Sequence, residues 1–428
     1  FADGRPIVEM EGMSLRIVGL DRQRIDAIWS HPQQPLKHDV IAESKRQIPQ
    51  LAPGGGAASP VGSSAAKTLY DHDQILEFCN GRPSLAFGDR YLPFDEDRFI
   101  ARLPGPPYCF LDRIIDVQGK PWQVEVPAAC TSEYFPVPDA WYFDASGVDE
   151  MPFAVLLEIA LQPCGWLAAY IGSALTSDQP LQFRNLGGSA TLLKPIGRDS
   201  GLLTTTVQLT SADHAAGMWI QRYDIEVSGT DGPVYSGNTY FGFFPEEALA
   251  KQVGLPGAVA RTIPPREALR GRSFMVSRHE DGPSLAFQMI DEVEFFAPDG
   301  GTAGHGFIRG AIDVDRESWF FRAHFKDDPV WPGSLGLESM LQLLQLVARD
   351  RWGDDANWVP RTLAPGIPHR WTYRGQVIPD RKRVVVEANI KSVDDQKGIL
   401  VADGLLLVDD LPIYSMEDFS IERRDTGR

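Results

Sequence analysis

The amino-acid sequence predicts an α+β protein made of two tandem copies of one unit, each a long apolar helix wrapped by a curled antiparallel sheet. Three observations lead there. Four sequence blocks recur in the same order at a near-constant spacing of 178–180 residues. Each copy places one long apolar stretch before a run of segments with strand-like alternation. A stretch rich in Gly, Ala, Ser and Pro (residues 44–67) separates the first copy from what precedes it.

The repeat is read from four pairs. "FLDRI" (110–114) matches "MIDEV" (289–293), and "WYFDAS" (141–146) matches "WFFRAH" (319–324). "LLEIALQ" (156–162) matches "GLESMLQ" (336–342), which places Glu158 on Glu338 and Gln162 on Gln342. "GPVYSGNTYF" (232–241) matches "LPIYSMEDFS" (411–420). Four ordered matches at one spacing imply an internal duplication. Period-2 alternation in "QRYDIEVSG" (221–229) and "RVVVEANIKSV" (383–393) predicts strands after each helix. Two such units in one chain are expected to pair about a pseudo-twofold axis. The closing block occurs a third time as "RPIVEMEGMSLRI" (5–17), so residues 1–35 are expected to be the remnant of an upstream unit in a longer polypeptide that starts before Phe1. The predicted layout continues with a flexible linker at 36–67, a first unit at 68–250, an inter-unit linker at 251–264 and a second unit at 265–428.

Composition narrows the function classes. A net charge of −17 argues against nucleic-acid binding, which needs a cationic surface. Four scattered cysteines without a C-x-x-C pair argue against a zinc site or disulfide framework and fit a reducing cytoplasm. Residues 151–172 are apolar enough to span a membrane, but Glu158, Gln162 and Pro163 interrupt them, so a buried core helix is expected rather than insertion. Pro163 removes a helical hydrogen bond to the Ile159 carbonyl and predicts a kink beside Glu158.

The stretch "WFFRAHFKDDPVWPGSLGLESMLQLLQ" (319–345) concentrates the chemistry. Pro332 and Gly333 suit a helix start, where exposed N–H groups can polarise a carbonyl. His324 can take a proton near neutral pH. A carboxyl among Leu335, Leu337, Met340 and Leu341, as at Glu338, should hold its proton more tightly than usual, and Gln342 one turn on can hydrogen-bond it. Five other histidines, His72, His214, His279, His305 and His369, show no paired pattern and are expected at the surface or in loops. Asp327, Asp328, Asp354 and Asp355 read as turn and surface carboxylates. Ser334 lacks the G-x-S-x-G context of a nucleophile, since Pro332 stands where glycine is needed.

The segment "AHFKDDPVWPGSLGLESMLQ" resembles the active-site motif of the β-hydroxyacyl-ACP dehydratase/isomerase family, proteins of the hotdog fold. His324, Phe325, Asp328, Pro329, Pro332, Gly333, Leu335, Leu337, Met340 and Gln342 match that motif. Ala323 and Asp327 replace glycines, Trp331 replaces Met, and Glu338 replaces Asp. Most of residues 68–424 further resembles the double-hotdog dehydratase regions of polyunsaturated fatty acid synthases. The resemblance implies a double hotdog that dehydrates a 3-hydroxyacyl thioester to a 2-enoyl thioester, with double-bond isomerisation as an optional further step, inside a polyunsaturated fatty acid or polyketide synthase. It implies no cofactor beyond the phosphopantetheine arm of an acyl carrier protein, and no metal. The expected partners are that carrier protein, other domains of the synthase and a homodimeric copy of the parent synthase. Arg370, Arg374 and Arg381 could offer local basic charge to an acidic carrier.

In dimers of this family the histidine of one protomer works with the helix carboxylate of its partner. The duplication then predicts one site combining His324 with Glu158, with Gly333 and Phe325 lining the substrate and Gln162 orienting Glu158. The second site would combine Glu338 with Ser146, which stands where histidine is needed, and Phe153 replaces the helix-start glycine. Two defects in one copy predict a degenerate site. The alternatives are a hotdog thioesterase, where a carboxylate directs water, and a non-catalytic docking domain of the synthase.

Overall fold

The computed structural model describes residues 66–425 except 97, 216, 277–283, 285 and 354–357. The predicted upstream remnant, almost all of the 36–67 linker, His279, Asp354 and Asp355 lie outside the described residues. The described residues belong to one compact unit.

The first copy opens with two short helices, α1 (His72–Asn80) and α2 (Pro83–Phe87). It continues with β1 (Arg113–Gln118), β2 (Ala128–Tyr134), α3 (Trp141–Ser146) and the long α4 (Phe153–Tyr170). Strands β3 (Gln182–Leu192), β4 (Leu203–Ala215), β5 (Met218–Gly229) and β6 (Gly232–Phe244) complete it. Helices α5 (Glu246–Ala250) and α6 (Pro265–Ala268) flank the connection. That connection lies along the second copy: Leu255 N–H donates to the Pro412 carbonyl at 2.8 Å. The second copy holds β7 (Arg272–Met275), β8 (Glu292–Ala297), β9 (Phe307–Asp313), α7 (Trp319–Ala323) and the long α8 (Gly333–Trp352). Then come β10 (Trp358–Thr362), β11 (Pro368–Tyr373), β12 (Arg383–Asp394), β13 (Ile399–Val408) and β14 (Leu411–Asp425).

All these strands form one antiparallel sheet in the order β1-β2-β4-β5-β6-β3-β11-β14-β13-β12-β9-β8-β7, with β10 added beside β14. Read inward, β1-β2-β4-β5-β6-β3 mirrors β8-β9-β12-β13-β14-β11, with β7 added outside β8. The duplication is therefore a structural one, and the pseudo-twofold runs through the β3–β11 pair, where Arg370 faces Ser189 and Trp371 faces Gly188. Glycine is required at 188 because a Cβ would stand 2.4 Å from the Trp371 ring. Each half-sheet curls around its own long helix, so each copy is a hotdog unit.

The surroundings of the first central helix show why it is so apolar. Helix α4 is enclosed by the sheet and by α8, so a single buried stripe is not enough. It is a core helix: nearly every one of its residues is buried within the protein. Helix α4 continues past Pro163 to Tyr170. The Ile159 carbonyl that Pro163 leaves without a helical donor accepts instead from the Thr205 hydroxyl at 3.3 Å.

Equivalent residues make equivalent bonds. Gln162 Oε1 accepts from Phe110 N–H and its Nε2 donates to the Tyr108 carbonyl, both at 2.8 Å. Gln342 Oε1 accepts from Met289 N–H at 2.8 Å and its Nε2 donates to the Phe287 carbonyl at 2.9 Å. Trp141 and Trp319 donate to the Pro107 and Ala286 carbonyls. Each glutamine thus ties a long helix to the chain entering the sheet.

Three expectations need correction. His369 is not at the surface; it lies buried on β11, with Nε2 3.0 Å from the Tyr235 hydroxyl and its ring edge-on to Phe153 at 5.3 Å. Strand β11 sits at the junction of the halves, with His369, Trp371 and Tyr373 on its buried face and Pro368 and Arg370 exposed on the other. Asp328 is not a free surface carboxylate, because Arg184 of the first copy grips it with two bonds of 2.6 and 2.8 Å. Of the three arginines expected to offer basic charge, Arg374 is instead engaged internally, donating to the Leu186 and Tyr373 carbonyls and to Tyr240, whereas Arg370 and Arg381 stay exposed with carboxylates 3.6 and 3.8 Å away. His72, His214 and His305 are exposed as expected.

Candidate active site

His324 is the residue that ends α7, and Val330 N–H donates to its carbonyl. Its Nδ1 lies 3.1 Å from the Val330 carbonyl. A carbonyl only accepts, so the ring proton sits on Nδ1 and Nε2 carries a lone pair. The His324 pKa falls to about 4, chiefly through burial and also through Arg184, with the bond to Val330 and the Asp328 carboxylate working in the other direction. The imidazole is therefore neutral at neutral pH and able to accept a proton.

Glu158 projects from α4 and lines the same cavity, of about 100 Å³, as His324. Gly333, Ser334, Gln162 and Phe325 also line it, together with apolar Leu103, Leu157, Leu161, Phe183 and Phe241. Burial raises the Glu158 pKa, opposed by hydrogen bonds from Ser334 and Gln162. Gln162 Nε2 donates to Oε2 at 3.0 Å, and Ser334 Oγ donates to Oε1 at 2.6 Å. The carboxyl is thus biased toward its protonated form while both oxygens are held in place.

Helix α8 begins at Gly333 after Pro332, with no side chain capping its first turn. Its N-terminal amides and the positive end of its dipole are available to a bound carbonyl oxygen. Glycine is needed at 333 because a Cβ would meet the Tyr373 ring at 2.8 Å. Phe325 packs on the His324 ring with centroids 3.8 Å apart.

The other set of residues is assembled differently. Phe153 opens α4 as a fully buried ring. Ser146 ends α3 with its hydroxyl donating to the Phe143 carbonyl at 3.1 Å. Glu338 Oε2 accepts from Ala154 N–H at 3.0 Å, so the carboxyl of one copy caps the helix start of the other. Burial pushes the Glu338 pKa up to about 7, opposed by that bond. An oxyanion position already filled by a carboxyl, beside a phenyl ring, leaves little for a substrate to reach. The structure brings His324, Glu158, Gly333, Gln162 and Phe325 around one cavity and leaves Glu338, Ser146 and Phe153 off it.

Sequence reasoning missed Ser334 in any role but nucleophile, and missed Tyr108, Tyr373 and Arg184 outright. Arg184 and Asp328 link the copies beside His324, and Arg184 Nε also donates to Gln376 at 2.7 Å. The Tyr373 hydroxyl is buried without a partner next to Gly333. The match of Asp328 to the family motif was the one available signal.

Comparison with known proteins places the chain. Residues 283–417 match the family described as FabA-like domain. A component of the polyunsaturated fatty acid synthase from Thraustochytrium sp. is 28% identical over 384 residues, covering 81% of this chain and 25% of that protein. The chain thus spans about a quarter of the length of this curated relative. Among solved structures, a bifunctional dehydratase-cyclase domain of ambruticin biosynthesis has 12% identity and a TM-score of 0.42, covering 74% of this chain and 95% of that one. A putative oleoyl thioesterase from Lactobacillus plantarum has 10% identity and a TM-score of 0.42, covering 69% and 96%. Such distant neighbours include both activities and do not choose between them. Residues 283–417 thus match the FabA-like domain family within a double-hotdog fold, and the chain is similar to a subunit of a polyunsaturated fatty acid synthase.

Proposed function

We propose that this region dehydrates a 3-hydroxyacyl thioester, delivered on the phosphopantetheine arm of an acyl carrier protein, to the 2-enoyl thioester. The observation that carries the reading is a neutral, buried histidine and a buried glutamate whose pKa is raised by burial, one from each copy, lining one apolar-walled cavity at an uncapped helix start. His324 Nε2 takes the C2 proton, and the electron pair of that C–H bond moves into the C2–C3 double bond. The C3–O bond breaks, and Glu158 protonates the departing hydroxyl, which leaves as water. Gly333 N–H holds the negative charge that develops on the thioester oxygen. Afterwards His324 carries a proton and Glu158 lacks one, and transfer through water restores both. No electron is gained or lost, so this chemistry asks for no redox cofactor.

The remaining reach of the reading concerns delivery. With a net charge of −17 the chain does not attract an acidic carrier overall, so tethering within one synthase supplies the effective concentration instead. The test is incubation of the protein with 3-hydroxyacyl carrier proteins of several chain lengths, with products resolved by chromatography. Loss of water supports the reading. Release of free acid with no alkene would make the protein a thioesterase, and no reaction with any acyl group would make it a docking domain.

A further inference from the structure

The two carboxyls are held by different chemistry, and the extra donors stand at the site that contains the histidine. Around Glu158, Tyr108 Oη lies 3.0 Å from Ser334 Oγ, which in turn donates to Glu158 Oε1. Tyr108 and Ser334 are both buried, and Ser334 stands directly after Gly333 at the start of α8. At the equivalent places around Glu338 stand Phe287 and Ala154, which carry no hydroxyl. Glu338 has only the backbone amide of Ala154 instead. The gain of two hydroxyls at one site and their loss at the other tracks the presence of His324 and Gly333.

We propose that Ser334, itself oriented by Tyr108, is a positioning residue that carries the start of one copy's helix onto the acid of the other and stabilises the carboxylate left after proton donation. The inference rests on the reading of Glu158 as the acid. Ser334 makes and breaks no covalent bond; it donates to Oε1 while Gln162 donates to Oε2, so the ionised form meets donors already in place. A hydroxyl at this point does two things that an alanine cannot. It fixes the acid relative to Gly333 N–H, because the two groups belong to adjacent residues. It also favours release of the proton, because it bonds the charged form. The other titratable or charged groups facing Glu158 are Tyr108 and Tyr373, with His324, Arg102 and the Arg184–Asp328 pair at the same cavity.

The test is the pH dependence of kcat on an N-acetylcysteamine 3-hydroxyacyl thioester for the wild type, Ser334→Ala, Ser334→Thr, Tyr108→Phe, Glu158→Gln and the Tyr108→Phe/Ser334→Ala pair. Glu158 must be protonated to act, so activity falls as pH rises through its pKa. Losing a donor to the carboxylate moves that alkaline limb upward. For Ser334→Ala we expect kcat to drop about tenfold and the limb to move up by about one pH unit. Threonine restores both, and Tyr108→Phe moves the limb the same way by less. Ser334→Ala leaves the Tyr108 hydroxyl unpartnered in the core and can unfold the protein. The paired variant removes both hydroxyls together and reads the same shift without that burden. A purely structural serine would lower the amount of folded protein and leave the limb in place. Folded Ser334→Ala or paired variants with wild-type kcat and limb overturn the proposal. Wild-type turnover by Glu158→Gln would overturn the acid assignment instead, which separates the two failures.

Discussion

Glu338→Gln separates the working site from its relic in one protein. The Glu338 pKa stands at about 7 against an ordinary 4.5, because the carboxyl is fully buried and only the Ala154 amide offsets the loss of water. A pKa raised in the folded state favours folding of the protonated form. That stability is complete below pH 4.5 and is lost as pH rises through 7. The gap corresponds to about 3 kcal/mol. Glutamine does not titrate, and its carbonyl can still accept from Ala154. Its new N–H needs an acceptor, which costs about 1–3 kcal/mol equally at every pH. The informative quantity is therefore the change between two pH values. Between about pH 4.5 and 8 the wild type should lose about 3 kcal/mol relative to the variant, or roughly 5 °C in Tm for a protein of this size. Thermal unfolding of both proteins at the two pH values measures it, with turnover recorded alongside. Turnover should stay within a few-fold of wild type, since Ser146 offers Glu338 no base. An identical Tm difference at both pH values refutes the buried, protonated carboxyl. A folded variant as inactive as His324→Ala refutes the cross-copy pairing.

Three further outcomes follow from the same geometry. His324→Ala and Glu158→Gln should each lower kcat by about 10²–10⁴-fold, and the double variant should fall little below the worse single one, because both groups act on one substrate; steady-state kinetics on folded protein checks this. The pH profile of kcat/KM should fall on the acid side as His324 protonates near 4 and on the alkaline side as Glu158 ionises above the ordinary carboxylate range; His324→Ala should remove the acid limb from whatever activity remains. Gly333→Ala should lose activity and about 1–3 kcal/mol of stability, because its methyl would meet the Tyr373 ring at 2.8 Å, and thermal unfolding with kinetics reads both.

The sequence by itself determined what repeats and what is missing from a repeat. The offset of the two copies is a property of the chain, so it was enough to place Glu158 on Glu338, Gly333 on Phe153 and His324 on Ser146, while the pairing between copies was expected from the family resemblance. The helices and the long strands were legible because period and composition are local. The tertiary structure decided whatever depends on residues that meet only when the sheet closes. Ser334 reaches a glutamate 176 positions away, and Arg184 reaches an aspartate 144 away; neither distance leaves a trace in any window of the sequence. His369 looked like a loop residue for the same reason, since the Tyr235 and Phe153 rings that cover it are far away in sequence and meet it only in the folded protein. The pKa values of His324, Glu158 and Glu338 likewise come from burial, which is a sum over neighbours from both copies and exists only once they have packed.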